Sequence, residues 1–208
     1  VRLHDEDAGE VRVKKVGDWW LPSADQHFVG DISSYQMASY KVAMLHVKAG
    51  GTAIDVGAHI GIFSRRMAAC FTLVHAFEPD AHNYACLVRN VQSWAVRATY
   101  GAAGAQRGMG NVRVDAVANT GARGFEASAT GAVPMFAIDE FKYDRLGLVK
   151  IDTEGYEHRV LVGALETLKR HKPVLIIERP KEDSLNVLRL LGYRLAEVVG
   201  KDSIFVEK

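Results

Sequence analysis

The chain has 208 residues, 48% of them hydrophobic and 25% charged, with a formal net charge of +1. That length suits one full domain, and that composition suits a globular protein rather than a disordered one. The near-neutral charge offers no field for DNA, RNA or an anionic membrane, and no apolar run approaches the ~18 residues of a membrane helix.

Residues 1–50 precede the first core strand and are expected to form an N-terminal extension or lid on a single domain spanning 1–208. Their start is polar and acidic, unlike a signal peptide. The sequence opens at Val1 without a methionine, which leaves room for a start upstream, and a cytoplasmic protein is the expectation. Trp19 and Trp20 are expected to anchor this segment. His27 reads as a surface histidine that becomes a base candidate if the segment covers a cleft, in company with Asp25, Tyr35 and Tyr40.

From residue 51 short apolar runs alternate with helical periodicity. Thr52–Val56 reads as a buried strand, Ile60–Cys70 as a helix and Leu73–Phe77 as the next strand. Tyr84, Leu87, Val88 and Val91 mark the apolar face of a second helix, and Val96–Tyr100 a third strand. Ala105–Pro134 is expected to be a hairpin excursion, with strand-like pieces at Asn111–Val117 and Met135–Ile138. Leu148–Ile151 and Val174–Ile177 are apolar strands around one helix carrying Val160, Leu161, Ala164, Leu165 and Leu168. A helix marked by Leu185, Leu188 and Leu191 ends at Gly192, where a left-handed cap suits glycine. Tyr193–Val199 and Ser203–Glu207 close the chain as a hairpin. The pattern implies an α/β fold, a doubly wound and mostly parallel sheet with helices on both faces and an antiparallel end. Cys70 and Cys86 lack any ligand spacing and are expected to be buried thiols, while Arg65-Arg66 and Lys169-Arg170 read as solvated helix faces.

In such sheets ligands sit beyond the carboxyl ends of the strands. The loop "IDVGAHIG" lies there after the first strand, with Gly57 and Gly61 separated by three residues. It lacks the second glycine that lets a pyrophosphate approach, and Asp55 would repel one. Asp55 suits a cationic amino-acid tail instead, so the loop fits S-adenosylmethionine better than NAD. Glu78, ending the second strand in "HAFEPD", is placed to accept hydrogen bonds from both ribose hydroxyls of an adenosine.

The carboxyl end of the fourth strand carries the candidates for chemistry. A hydroxyl acceptor needs a base within reach, and Asp152 and Glu154 are the acids at that position. Lys150 interrupts an apolar strand, and a buried ammonium requires a partner; Asp152 or Glu178 is expected to supply it. The competing reading makes these residues, with Glu157, a polar network that shapes the turn. No histidine is spaced to join the acids, so no metal is expected.

The stretches "AIDVGAHIGIFS", "HAFEPDAHNYACLVRNV" and "GLVKIDTEGYEHRVLVGALETLKRHKPVLIIE" resemble the FkbM family of S-adenosylmethionine-dependent methyltransferases over roughly residues 50 to 180, most specifically at Lys150–Glu157. The resemblance implies a Rossmann-like class I methyltransferase fold with a seven-stranded sheet, and methyl transfer to a hydroxyl of a sugar, polyketide or other small molecule. It further implies that Asp55, Gly57, Gly61 and Glu78 hold the cofactor, with Ala58 and His59 in the same loop. Two departures stand out: the family usually has Asn where this chain has His59, and "YGAAGA" offers only Ala102 and Ala103 to the adenine. His59 is expected to make a backbone contact, with a ring that caps the helix start or borders the cofactor. An NAD-dependent oxidoreductase and a non-catalytic adenosine-binding module are the alternative functions. A nucleic-acid methyltransferase is disfavoured, because the chain lacks an Asp/Asn-Pro-Pro-aromatic tetrapeptide and a basic groove.

Overall fold

A computed structural model of the chain describes residues 11–28, 31–48, 50–114 and 118–208. The expected strand Asn111–Val117 therefore ends outside the described residues, as do parts of the N-terminal extension.

In chain order the elements are β1 (Val13–Val16), β2 (Trp19–Pro22), α1 (Met37–Met44), β3 (Thr52–Val56), α2 (Ile62–Met67), β4 (Leu73–Glu78), α3 (Ala81–Asn90), β5 (Val96–Tyr100), β6 (Ala102–Ala103), β7 (Gly108–Val114), β8 (Arg123–Ala127) and β9 (Val133–Phe136). They continue with β10 (Leu146–Ile151), α4 (Glu157–Val162), α5 (Leu165–His171), β11 (Val174–Glu178), α6 (Glu182–Leu190), β12 (Tyr193–Val199) and β13 (Asp202–Glu207). The main sheet has seven strands in the order β12-β13-β11-β10-β3-β4-β5. Its five strands from β11 to β5 are parallel, and β13 runs antiparallel to both β11 and β12. This is the doubly wound sheet with a terminal hairpin that the sequence implies.

Period-2 alternation divides each strand between two helical layers. In β10, Leu148 packs with Phe63 and Met67 of α2 and Tyr40 and Ala43 of α1. Val149 and Ile151 pack on the other face with Val160, Leu161, Leu168 and Leu188 from α4, α5 and α6. Strand order reverses between β3 and β10, and the crevice opens beyond their carboxyl ends, where ligands bind in open α/β sheets.

Several local expectations need correction. The helix expected over Ile60–Cys70 runs only from Ile62 to Met67. At its start, Gly61 adopts φ +91, and a Cβ there would come within 2.8 Å of Leu87. At its end, Ala69 and Cys70 bond back three residues rather than four, turning Phe71 into the core. That early ending leaves Cys70 exposed, whereas Cys86 is buried as expected. Val88 also faces solvent, at 48% exposure, so it is not part of the apolar face of α3.

The single helix expected through Val160 and Leu168 is two, broken at Gly163-Ala164. Gly163 packs against the Gly104 carbonyl so closely that a Cβ would stand 1.9 Å from its oxygen. The Gly163 carbonyl accepts from the Asp139 N–H (2.9 Å), and the Asp139 carboxylate accepts from the N–H groups of Glu166 and Thr167, starting the second helix. The excursion also exceeds a hairpin. β7 and β8 form one, but β9 and β6 join them in a separate four-stranded sheet of order β6-β9-β7-β8.

The N-terminal segment is tied to the domain through β2. The Trp20 N–H donates to the Asn90 side chain (2.7 Å), and Trp19 packs with Ile60, Ile62 and Cys86. Both tryptophans thus anchor. No helix among the described residues is long and apolar enough to cross a membrane.

Candidate functional site

A cavity of about 1050 Å3, partly open to solvent, lies over the carboxyl ends of β3, β4, β10 and β11. Gly57, Ala58, His59, Glu78, Ala102, Ala103, Lys150, Asp152 and Glu154 all line it. Asp55 and Gly61, the other two residues expected at the cofactor, stand behind the wall rather than on it.

Gly57 is where the loop leaves β3. Its φ is +74, and a Cβ there would lie 1.8 Å from the backbone oxygen of Asp152, so any side chain would push the loop off the adjacent strand. His59 also has a positive φ, +52. This left-handed region is one that Asn and His tolerate better than most residues. The His59 N–H donates to Glu78 Oε2 (2.7 Å), locking the loop to the end of β4.

Glu78 is 4% exposed and forms no ion pair among the described residues. Burial, and secondarily the nearby Asp80, raise its carboxyl to about 7, although the N–H groups of Asp80 and His59 pull the other way. Asp80 caps α3 and is paired with Arg123.

Asp55 is fully buried. Its Oδ2 accepts from Ser64 Oγ (2.6 Å), while its Oδ1 has no hydrogen-bond partner among the described residues. Register explains its setting: Asp55 on β3 lies directly beside Lys150 on β10. The Lys150 ammonium stands 3.9 Å from Asp55 Oδ1 and 3.1 Å from Asp152 Oδ2. The expected partner Asp152 is therefore present, and Asp55 is a second one. Glu178 pairs instead with Lys201, at 3.6 Å. Burial disfavours the Lys150 charge, but Asp152 and Asp55 outweigh it and raise its pKa. Burial likewise penalises Asp152, yet Lys150 holds it below the usual carboxylate range. Burial and the proximity of Asp152 push Glu178 up to about 8.

Glu154 lies on the same wall, in a left-handed conformation (φ +52), and burial together with Asp152 raises its pKa. Glu157 has a different task. Its Oε1 accepts from Thr153 N, Thr153 Oγ1 and Gly155 N, holding the turn that presents Asp152 and Glu154. Oxygens of Asp152, Glu154 and Glu178 lie within 4.8 Å of one another.

The opposite wall comes from the N-terminal segment. His27, Phe28 and Tyr35 line the cavity. The Phe28 ring stacks on His59 with centroids 5.7 Å apart and meets Tyr35 edge-on at 5.3 Å. Tyr40 packs instead on Phe63 in the core. Thr120 and Asn119, contributed by the excursion, complete the rim. Sequence reading missed Phe28 and Thr120, because neither carries a spacing that signals a site.

The residues fit an adenosyl amino-acid cofactor. A buried acid with no ion pair among the described residues stands at the end of β4, a glycine turn leaves no room for side chains, and two small residues line the neighbouring wall. The model of the methyltransferase FkbM domain matches residues 55–195. Among solved structures, a methyltransferase FkbM from Methylobacillus flagellatus is 20% identical with a TM-score of 0.53, over 76% of this chain and 43% of that one. The chain thus spans less than half the length of that relative. A precorrin 8W decarboxylase from Methanobacterium thermoautotrophicum is 15% identical with a TM-score of 0.53, over 83% of this chain and 90% of that one. A Streptococcus mutans protein, assigned as a methyltransferase and solved in complex with SAH, is 9% identical with a TM-score of 0.51, over 86% and 97% of the two chains. No curated protein matches the sequence.

Proposed function

The chain belongs to the FkbM methyltransferase family, a family that uses S-adenosylmethionine, and from that premise we propose that it methylates a hydroxyl oxygen of a small molecule or sugar. The observation that carries this reading is the shared cavity: the cofactor loop, Glu78 and the acids that follow β10, Asp152 and Glu154, face one space.

In this reading Gly57, Ala58 and His59 form the cofactor turn, Gly61 lets that turn pack on α3, Glu78 takes the ribose, and Ala102 and Ala103 border the adenine. Asp55 acts at one remove, through Lys150. Bound S-adenosylmethionine supplies an electrophilic methyl group, so the chain's own task is alignment and removal of the acceptor proton. Asp152, kept ionised by Lys150, accepts the acceptor's hydroxyl hydrogen bond. Glu154, with its raised pKa, is the stronger base and takes the proton. Residues 1–50 act as a lid on the single domain, supplying the aromatic wall. His59 occupies the position where a dinucleotide loop needs a glycine, which disfavours NAD.

The test is methyl transfer from labelled cofactor to a panel of hydroxylated metabolites and glycans. Labelled ethers in that panel support the proposal; transfer to amines or RNA alone overturns the hydroxyl assignment.

A further inference from the structure

Three segments far apart in sequence meet behind the cofactor loop. Asp25, from the N-terminal segment, is 1% exposed, and Thr120, from the excursion, is 0% exposed. Asp25 Oδ1 accepts from the N–H groups of His27 (3.0 Å) and Phe28 (3.4 Å). Its Oδ2 accepts from Thr120 N (3.0 Å) and Thr120 Oγ1 (2.6 Å). Every hydrogen-bond partner of this carboxyl among the described residues is a donor, the environment of an ionised acid, which can only accept.

Thr120 Oγ1 also lies 2.9 Å from His59 Nε2. A threonine hydroxyl has one proton. With that proton committed to Asp25, the contact to His59 forms only if Nε2 is the donor. The ring is neutral, because burial holds its pKa down at about 4 against the pull of Asp25 and Asp152. Nδ1 therefore keeps a lone pair. It accepts no hydrogen bond among the described residues, and it lies beside Gly121, another residue of the cavity wall.

Glu78, bonded to the backbone of His59, already receives three N–H donors: His59 N on Oε2, and Asp80 N and Asn83 Nδ2 on Oε1. A ribose brings two further donor hydroxyls to the same corner, and a second acceptor would share them. We propose that Asp25, acting through Thr120, holds His59 in its Nε2–H tautomer so that Nδ1 serves as a fixed acceptor for a ribose hydroxyl of the cofactor. The inference rests on the reading that this cavity holds S-adenosylmethionine. Asp25 and Thr120 are positioning residues, and the acceptor is complete only when the N-terminal segment and the excursion both dock on the loop.

Two measurements test it. In 15N-histidine NMR of the free protein, with His59 signals assigned by their loss in His59→Asn, Nε2 should be protonated and Nδ1 bare. In calorimetry, Thr120→Val should weaken S-adenosylhomocysteine binding about tenfold, the scale of one lost hydrogen bond. Thr120→Ser should restore it, and the 2′,3′-dideoxy analogue should bind wild type and Thr120→Val alike. If Thr120→Val does not fold, His59→Phe, which keeps a ring against Phe28 and removes both nitrogens, carries the same comparison. A protonated Nδ1 with bare Nε2, or equal losses for the two ligands, overturns the relay while leaving the cofactor reading intact. A wild-type chain that binds neither ligand overturns the cofactor reading and the ribose contact with it.

Discussion

Cofactor affinity should depend on pH through Glu78. In the free protein burial raises this carboxyl to about 7. Ribose hydroxyl donation to it favours the ionised form and returns it toward the ordinary range near ~4.3. The bound pKa is then lower than the free one, so binding is favoured above pH 7 and weakens as pH falls through it. At pH 6 about nine in ten free molecules hold the proton, and affinity should be about tenfold below its value at pH 8, a difference of ~1.4 kcal/mol. Calorimetry with S-adenosylhomocysteine in buffers of different ionisation enthalpy reads both quantities. It should show nearly one proton released on binding at pH 6 and few at pH 8. Glu178 titrates in the same cavity, with its carboxyl near 8, so Glu78→Gln is the control, and its affinity should be low and nearly flat across this range. A wild-type affinity independent of pH from 6 to 8, with no proton release, would refute the argument. The same shift has an opposite sign for stability. A folded-state pKa above the unfolded one stabilises the free protein fully below about 4.5 and loses that stabilisation as pH rises through about 7.

Other substitutions separate the roles of the acids. Lys150→Met leaves the buried Asp55 without its cation and should cost about 3–5 kcal/mol in urea unfolding; adding Asp55→Asn should recover part of that loss, and no recovery would count against the pair. Glu154→Gln should lower kcat at least about 100-fold while leaving S-adenosylhomocysteine affinity unchanged, whereas a matching loss of affinity would assign Glu154 to the cofactor instead. Because Lys150 and Lys201 already pair with Asp152 and Glu178, a chelator should leave methyl transfer intact; activity lost to it and restored by Mg2+ would place a divalent cation among Asp152, Glu154 and Glu178.

The sheet was legible because its strands are continuous apolar runs and its helices keep one apolar face. Gly57, Glu78 and Asp152 were legible because their positions at strand ends follow once the strands are assigned. Pairings across the sheet were harder. Asp55 and Lys150 are neighbours only through the β3–β10 register, which no local pattern encodes. The break at Gly163 depends on Asp139 from another segment, so helical periodicity ran straight through it. The contact between Asp25 and Thr120 joins residues 95 apart, and neither lies in a motif. His59 stood out as a departure from the usual Asn, but its role needed both of those distant residues.

The central claim is that this cavity holds S-adenosylmethionine rather than a dinucleotide. Calorimetry of the full chain with S-adenosylhomocysteine and with NAD at pH 8 tests it directly. The account predicts saturable binding of the first and none of the second; binding of NAD without S-adenosylhomocysteine would contradict it.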